Sequence, residues 1–234
     1  MNAEMTRKIR LIMYLRQQGI HSTDVLRALE LTPREAFIPE MFHDQAYEDR
    51  ALPIGRGQTI SQPLVVAHMT QSLELEPSHK VLEIGTGCGY QATILAKLCR
   101  RVYTIERHRP LFENANKTLD DLRVRNITTL LGDGMKGWTA QAPFDRIIVT
   151  AAARSEPPQA LLDQVKEGGH LVIPMGEAGD QWLYKYTRKG DEFDVQKLFS
   201  VRFVPLLPEI ARDQEEGQVD PSLSENAETD IAYA

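Results

Sequence analysis

Lys80-Val81-Leu82-Glu83-Ile84-Gly85-Thr86-Gly87-Cys88-Gly89-Tyr90 is the stretch whose reading decides the fold. Val81, Leu82 and Ile84 make a short apolar run of strand length. Glycines at 85, 87 and 89 then interrupt it, and Gln91 to Leu98 follows as a helix with Ile94, Leu95 and Leu98 on one face. A strand, a glycine turn and a helix in this order form the place where an open α/β sheet puts its ligand crevice. Gly85 and Gly87 let the backbone turn tightly and approach a ligand without a Cβ in the way. Taken alone, such a loop is as often a mere tight turn.

Outward from this stretch the pattern alternates. Val65 to Leu73 reads as a helix on the N-terminal side. Arg101 to Ile105 reads as a strand ending at Glu106, and Leu111, Ala115, Leu119 and Leu122 mark a helix. Ile127 to Leu131 is a strand before Gly132-Asp133-Gly134. Phe144 to Thr150 is a strand whose Ile147-Ile148-Val149 is continuously apolar, as a parallel sheet covered on both faces requires. Leu161, Leu162 and Val165 predict a helix closed by Gly168-Gly169, and Leu171 to Ile173 a further strand. Trp182 to Thr187 and Phe193 to Phe203 read as two strands around a Gly190-Asp191 turn, so the sheet is expected to be mixed.

Toward the N-terminus, Met5, Ile9, Ile12 and Met13 recur at helical spacing up to Gly19. A second helix starts at Ser22 and buries Val25, Leu26 and Leu29. Thr32-Pro33-Arg34-Glu35 reads as a third helix start, with Thr32 as cap, Pro33 at the first position and Glu35 completing a capping box. Residues 39 to 63 are rich in Pro and Gly and read as a long ordered loop of functional type. Residues 1–212 are expected to form one domain. Residues 213–234 carry carboxylates and no Lys or Arg, which predicts a solvated, flexible tail.

The spacing of the glycines bears on the ligand. A dinucleotide loop of the G-x-G-x-x-G type would place its third glycine at position 90, where this chain has Tyr90. Glu83, just ahead of the loop, is awkward for a pyrophosphate and suits a cation. S-adenosylmethionine is a nucleoside with a sulfonium and an ammonium and no phosphate. Glu106, at the next strand end, is placed to accept from ribose hydroxyls, and Asp133, after the third strand, from an adenine amino group. Each acid alone would more often be a capped turn; together, at equivalent strand ends, they favour a nucleoside site.

Composition sets limits on function. With 234 residues, 42% apolar and 26% charged, the chain has the profile of a globular protein. It has no apolar run near the roughly 20 residues of a membrane helix. Residues 1–10 lack the apolar core of a signal peptide. A formal charge of -6 gives no general attraction to nucleic acid or to an anionic membrane. Cys88 and Cys99 make no disulfide framework and suit a reducing cytoplasm. The six histidines are scattered without metal-ligand spacing, so no metal is expected.

The segment Leu52-Pro53-Ile54-Gly55-Arg56-Gly57-Gln58-Thr59-Ile60-Ser61-Gln62-Pro63 resembles the signature loop of the protein-L-isoaspartate O-methyltransferases. Phe37-Ile38-Pro39, Val81 to Gln91, Tyr103 to Arg107, Gly132 to Gly134, Gly137-Trp138, Ala142 to Asp145, Ile147 to Ala152, Gly168 to Pro174 and Phe203-Val204-Pro205-Leu206 resemble other motifs of that family. The likeness runs from about residue 34 to 207. It implies a class I S-adenosylmethionine-dependent methyltransferase fold, Rossmann-like, with a mostly parallel sheet, helices on both faces, an antiparallel C-terminal strand pair, a rearranged order of the last strands and an N-terminal helical extension.

It further implies methylation of the α-carboxylate of L-isoaspartyl residues in damaged proteins, which starts repair through a succinimide. By motif position Ser61 would be the active-site serine and would touch substrate. Thr59, Ile60, Glu83, Gly85, Gly87, Glu106, Asp133 and Gly134 would hold S-adenosylmethionine, and Val204 would lie near the substrate carboxylate. Cys88 stands where the family usually has serine or another small residue and reads as a compact spacer. A cytoplasmic monomer acting on isoaspartyl proteins is expected, with no nucleic-acid or membrane partner. A carboxylate nucleophile, with an ordinary pKa of about 4, needs no general base, so Ser61 is expected to position it by a hydrogen bond. Residues 39–63 with Val204-Pro205 would form an extended peptide groove. The alternatives are another methyltransferase on this fold, an NAD-dependent oxidoreductase, and a binding module that keeps the pocket without catalysis. The intact signature loop and the misplaced third glycine argue against these.

Overall fold

The computed structural model describes residues 3–212. The expected acidic tail, 213–234, lies outside the described residues. Seven strands form one sheet in the order β5 (Ile127–Leu131), β4 (Arg101–Glu106), β3 (Lys80–Ile84), β6 (Phe144–Val149), β7 (Val165–Glu177), β8 (Asp180–Lys189), β9 (Glu192–Val201). The first five run parallel. The hairpins β7–β8 and β8–β9 are antiparallel, so the last strands simply follow sequence order.

The central strands are continuously apolar because both faces are covered. Val81, Val102, Ile148 and Val172 pack with Val65, Met69, Ala92 and Leu95 of α3 (Pro63–Ser72) and α4 (Tyr90–Ala96). Leu82, Ile84, Ile105, Ile147, Val149 and Ile173 pack on the opposite face with Leu161 of α6 (Gln159–Asp163). The chain leaves β3 outward through β4 and β5, with α5 (Arg109–Asp121) between those two strands, then returns to the far side of β3 as β6. Strand order therefore reverses beside β3, and the crevice lies off its C-terminal end.

Several expectations are corrected. In α1 (Ala3–Gln17) the buried stripe is Leu11 and Leu15, while Met5 and Met13 are 50% and 57% exposed and Ile9 is also outside. Two apolar stripes satisfy the same period, and packing against α2 (Thr23–Glu30) and α3 selects one. Thr32 caps nothing; its hydroxyl donates back to the Ala28 carbonyl at 2.7 Å, and the third helix is a single 3-10 turn, Arg34–Phe37. The loop 39–63 contains a 3-10 turn, Glu40–Gln45, and a hairpin of β1 (Leu52–Gly55) and β2 (Gln58–Ile60). Val165 does not belong to α6, because it already pairs with Phe144, and Gly168-Gly169 sit inside β7. Among the described residues no helix is long and apolar enough to cross a membrane.

The sheet end opposite the crevice is tied by charge. Arg146 donates through Nε to the Leu73 carbonyl and through Nη2 to the Glu74 carbonyl at 3.2 Å, so it caps the last turn of α3. The Glu74 carboxylate meets Lys185 at 2.6 Å and His170 at 3.2 Å. Burial alone would raise the Glu74 carboxyl, but Lys185 and His170 outweigh it and hold it below its ordinary value. His170 is pushed below 6.5 by burial and by Arg146 and Lys185, and His79 by burial and Arg146. A histidine with a depressed folded pKa binds protons more readily when unfolded, so its contribution is present above the unfolded value and lost as pH falls below it. The lowered Glu74 acts with the same sign at lower pH. The urea midpoint should therefore fall as pH drops below about 6.5, and His170→Gln should flatten part of that dependence.

Candidate active site

The first wall is the turn that leaves β3. Gly85 N–H donates to the Ile105 carbonyl of β4 at 2.9 Å. On the other side the Thr150 hydroxyl, at the end of β6, donates to the carbonyls of Ile84 and Gly85 at 3.0 and 2.8 Å. Gly85 has a φ of +95°, and a Cβ there would strike the Thr150 hydroxyl. Gly87 N–H donates to Glu106 Oε2 at 2.8 Å, while Glu106 Oε1 accepts from the N–H groups of Arg107 and His108 at 2.9 and 2.8 Å. Three backbone donors thus aim one carboxylate along the loop.

Beneath the loop, Glu83 is 0% exposed. The Thr104 hydroxyl donates to its Oε2, and with that proton used, the Thr86 hydroxyl donates to Thr104 at 2.7 Å. Glu83 Oε1 has no partner. Burial pushes its carboxyl up to about 8, against the Thr104 hydrogen bond and with help from the nearby Glu106 charge. Cys88 lines the cavity, and burial pushes its thiol up to about 11, so it is protonated and unreactive near neutral pH.

The second wall is the β1–β2 hairpin and its junction with α3. Asp49 accepts from Leu64 N–H and from Gln62 Nε2, both at 2.8 Å, which fixes the start of α3 and the residue after Ser61. The third wall is residues 202–207. Val204 O accepts from Ala152 N–H at 2.8 Å and Leu206 N–H donates to Ala152 O at 2.7 Å, so this segment lies along the end of β6. Gln181 clamps Phe203 from both its backbone groups.

These walls enclose a cavity of about 980 Å³. Of the residues singled out from sequence, Thr59, Ile60, Ser61, Gly85, Gly87, Glu106, Gly134 and Val204 line it. Glu83 and Asp133 do not reach its surface. Glu83 lies behind the loop, and Asp133 Oδ1 accepts from Met135 N–H at 2.9 Å while its other oxygen pairs with Lys136. Sequence reading missed Thr104, Thr150 and Arg34. A threonine inside a strand otherwise buried on both faces was the available signal for Thr104; Thr150 and Arg34 offered none, because their partners are remote in sequence.

The family model for protein-L-isoaspartate(D-aspartate) O-methyltransferase matches residues 6–211. The chain belongs to the protein-L-isoaspartate O-methyltransferase family. It is 56% identical over 206 residues to the protein-L-isoaspartate O-methyltransferase of Rhodospirillum centenum, covering 88% of this chain and 93% of that protein. The Vibrio cholerae enzyme of the same name is 54% identical over 199 residues, 85% of this chain and 94% of the other. Two solved structures share the fold. One protein-L-isoaspartate O-methyltransferase superposes with a TM-score of 0.79 at 26% identity, over 87% of this chain and 67% of that one. The other, a beta-aspartate methyltransferase from Plasmodium falciparum in complex with S-adenosyl-L-homocysteine, gives 0.76 at 27% identity, over 88% and 99%.

The family match spans the three walls of the cavity: the β1–β2 hairpin with its junction to α3, the glycine turn, and residues 202–207. The β3 turn generates a direct prediction. Gly85→Ala combines a left-handed φ with a Cβ against Thr150. It should weaken S-adenosyl-L-homocysteine binding by about tenfold or more, or about 1.4 kcal/mol, in titration calorimetry. Gly168→Ala, also left-handed but facing open space, should leave that binding unchanged.

Proposed function

We propose that this chain starts the repair of damaged proteins by methylating the α-carboxylate of their L-isoaspartyl residues, with S-adenosylmethionine as donor. The observation that carries the reading is one cavity bounded on one side by the glycine turn and on the other by Ser61 and the 202–207 segment. Donor and peptide would enter from different walls and meet between them.

The residues present fit the donor. Glu83 supplies a buried carboxyl oxygen without a partner under the turn, and a cationic methionine head above it would draw that carboxyl, held up at about 8 by burial, toward its charged form. Gly85 and Gly87 form a cradle that a Cβ would fill, on Thr150 at one and at 3.3 Å from Ile54 Cδ1 at the other. Glu106 is held by three N–H groups and keeps lone pairs for ribose hydroxyls. Thr59, Ile60 and Gly134 would close around the nucleoside. Asp133, already a cap for the turn after β5, would act on the adenine side through backbone placement more than through a free carboxylate.

The donor, when bound, supplies a sulfonium methyl for in-line displacement: the new bond forms to a carboxylate oxygen as the S–CH3 bond breaks. The acceptor is ionised at neutral pH, so the chain needs no base. Ser61 would donate a hydrogen bond to that carboxylate and aim one oxygen, and Val204 would meet it from the facing wall. Alignment of this kind supplies on the order of 7–11 kcal/mol in favourable cases. Gln62 Oε1, buried and without a partner, offers an acceptor to a peptide N–H beside Ser61.

Labelled methyl should pass from S-adenosylmethionine to a synthetic L-isoaspartyl peptide, as a base-labile ester, and not to the same peptide with L-aspartate. Label on both or neither would sink the reading. Ser61→Ala should lower kcat/KM by roughly 10- to 100-fold, the worth of a hydrogen bond to a charged group, with S-adenosyl-L-homocysteine affinity retained.

A further inference from the structure

Arg34 is 0% exposed, an unusual place for a guanidinium with no carboxylate bound to it. Its Nη2 donates to the Ser61 carbonyl at 2.9 Å and to the Arg50 carbonyl at 3.2 Å. The guanidinium carbon sits 4.9 Å from the centre of the Tyr90 ring. Nε and Nη1 have no partner. The adjacent carboxylate, Glu35, is taken by the Tyr47 hydroxyl. Ser61, Cys88 and Tyr90 line the cavity, so this charge stands immediately behind the wall against which an acceptor would lie.

A buried cation is costly unless an anion balances it. Two carbonyls and the Tyr90 side chain, its ring face and its hydroxyl, are all neutral partners and give Arg34 only partial compensation. An acceptor carboxylate laid on Ser61 brings the missing charge. We propose that Arg34 is the positioning residue and fixed counter-charge for the acceptor carboxylate. It holds the Ser61 backbone through one fork of its guanidinium and attracts the anion through its net charge. This rests on the functional reading above.

The charge changes during the reaction give the inference a kinetic sign. The carboxylate loses its negative charge as the ester forms, so a cation near it stabilises the ground state more than the transition state. The charge of Arg34 therefore lowers KM and confers selectivity for an anionic acceptor at some cost to kcat, which rests on alignment. A role confined to folding would not distinguish a charged acceptor from a neutral one.

The experiment compares two peptides bound to the enzyme saturated with S-adenosyl-L-homocysteine. One carries L-isoaspartate, and the other carries the same residue with its α-carboxylate replaced by a carboxamide. The wild-type chain should prefer the carboxylate. In Arg34→Gln that preference should shrink by about tenfold, equivalent to about 1.4 kcal/mol, with affinity for S-adenosyl-L-homocysteine unchanged. Arg34→Lys should retain most of it, because the charge survives. An unchanged ratio in folded Arg34→Gln overturns the role of Arg34 alone. A wild-type chain that binds neither peptide overturns the functional reading and this inference with it. Should Arg34→Gln fail to fold, the Nε–H resonance of Arg34 in the wild-type chain decides. It should shift with the carboxylate peptide and not with the carboxamide, and identical responses overturn the proposal.

Discussion

The backbone turn at Gly85 is the constraint on which the rest of the site depends. It is held from both sides at once, by the Ile105 carbonyl of β4 and by the Thr150 hydroxyl at the end of β6. Those two strands flank β3 only because strand order reverses there. Thr150 occupies the space a Cβ at residue 85 would need, so the clamp and the glycine require each other. With the turn fixed, Gly87 N–H reaches Glu106, and the same carboxylate gathers the chain entering α5. Sheet topology, glycine and carboxylate are one mechanical unit.

Much of this unit was legible in sequence. The apolar run at β3, the glycine spacing and Glu106 at the end of β4 follow from local pattern, and the central sheet has the alternation that they imply, whereas Glu83 and Asp133, read as partners of Glu106, do not line the cavity. The rest depends on contacts between remote segments. Met5–Ile9–Met13 and Leu11–Leu15 are equally good helical stripes in α1, and only α2 and α3 decide between them. Val165 reads as the last apolar residue of a helix until Phe144 pairs with it. Arg34 looks like an ordinary charged residue in a helix start. Its partners, Arg50, Ser61 and Tyr90, lie up to a whole hairpin and helix away. The hairpin β1–β2 is short, and its proline and glycines hide strand character in any period-based reading.

Two buried ionisable side chains lie behind the cavity wall with polar atoms unsatisfied: Glu83 under the glycine turn and Arg34 behind Ser61. Unsatisfied buried groups are rare in folded proteins and call for a reason. Arg34 is cationic, whereas the Glu83 carboxyl, raised to about 8 by burial, gains its charge only with a cation beside it; in the proposed reaction the two would face opposite reactants, a sulfonium donor over the turn and a carboxylate acceptor over Ser61. In that reaction a ligand of opposite charge across the wall would offset each of these imperfect environments without touching it. Local stability is sacrificed where a ligand of complementary charge restores it.

The same charges explain why a cavity between three walls suits the proposed methyl transfer without a general base. Transfer of a methyl group from a sulfonium to a carboxylate consumes one positive and one negative charge and creates none. The transition state is less polar than the separated reactants, so removing water costs the reactants more than the transition state. Hydration of the two ions would have to be given up on the way to bond formation. In the proposed reaction a fixed dipole such as the Ser61 hydroxyl would replace part of the carboxylate's hydration without reorganising. The protein's task is then to bring two ions together in line and keep them poorly solvated. A scaffold whose loops are pinned by buried hydrogen bonds, with no titrating thiol on the cavity wall near neutral pH, is built for that task.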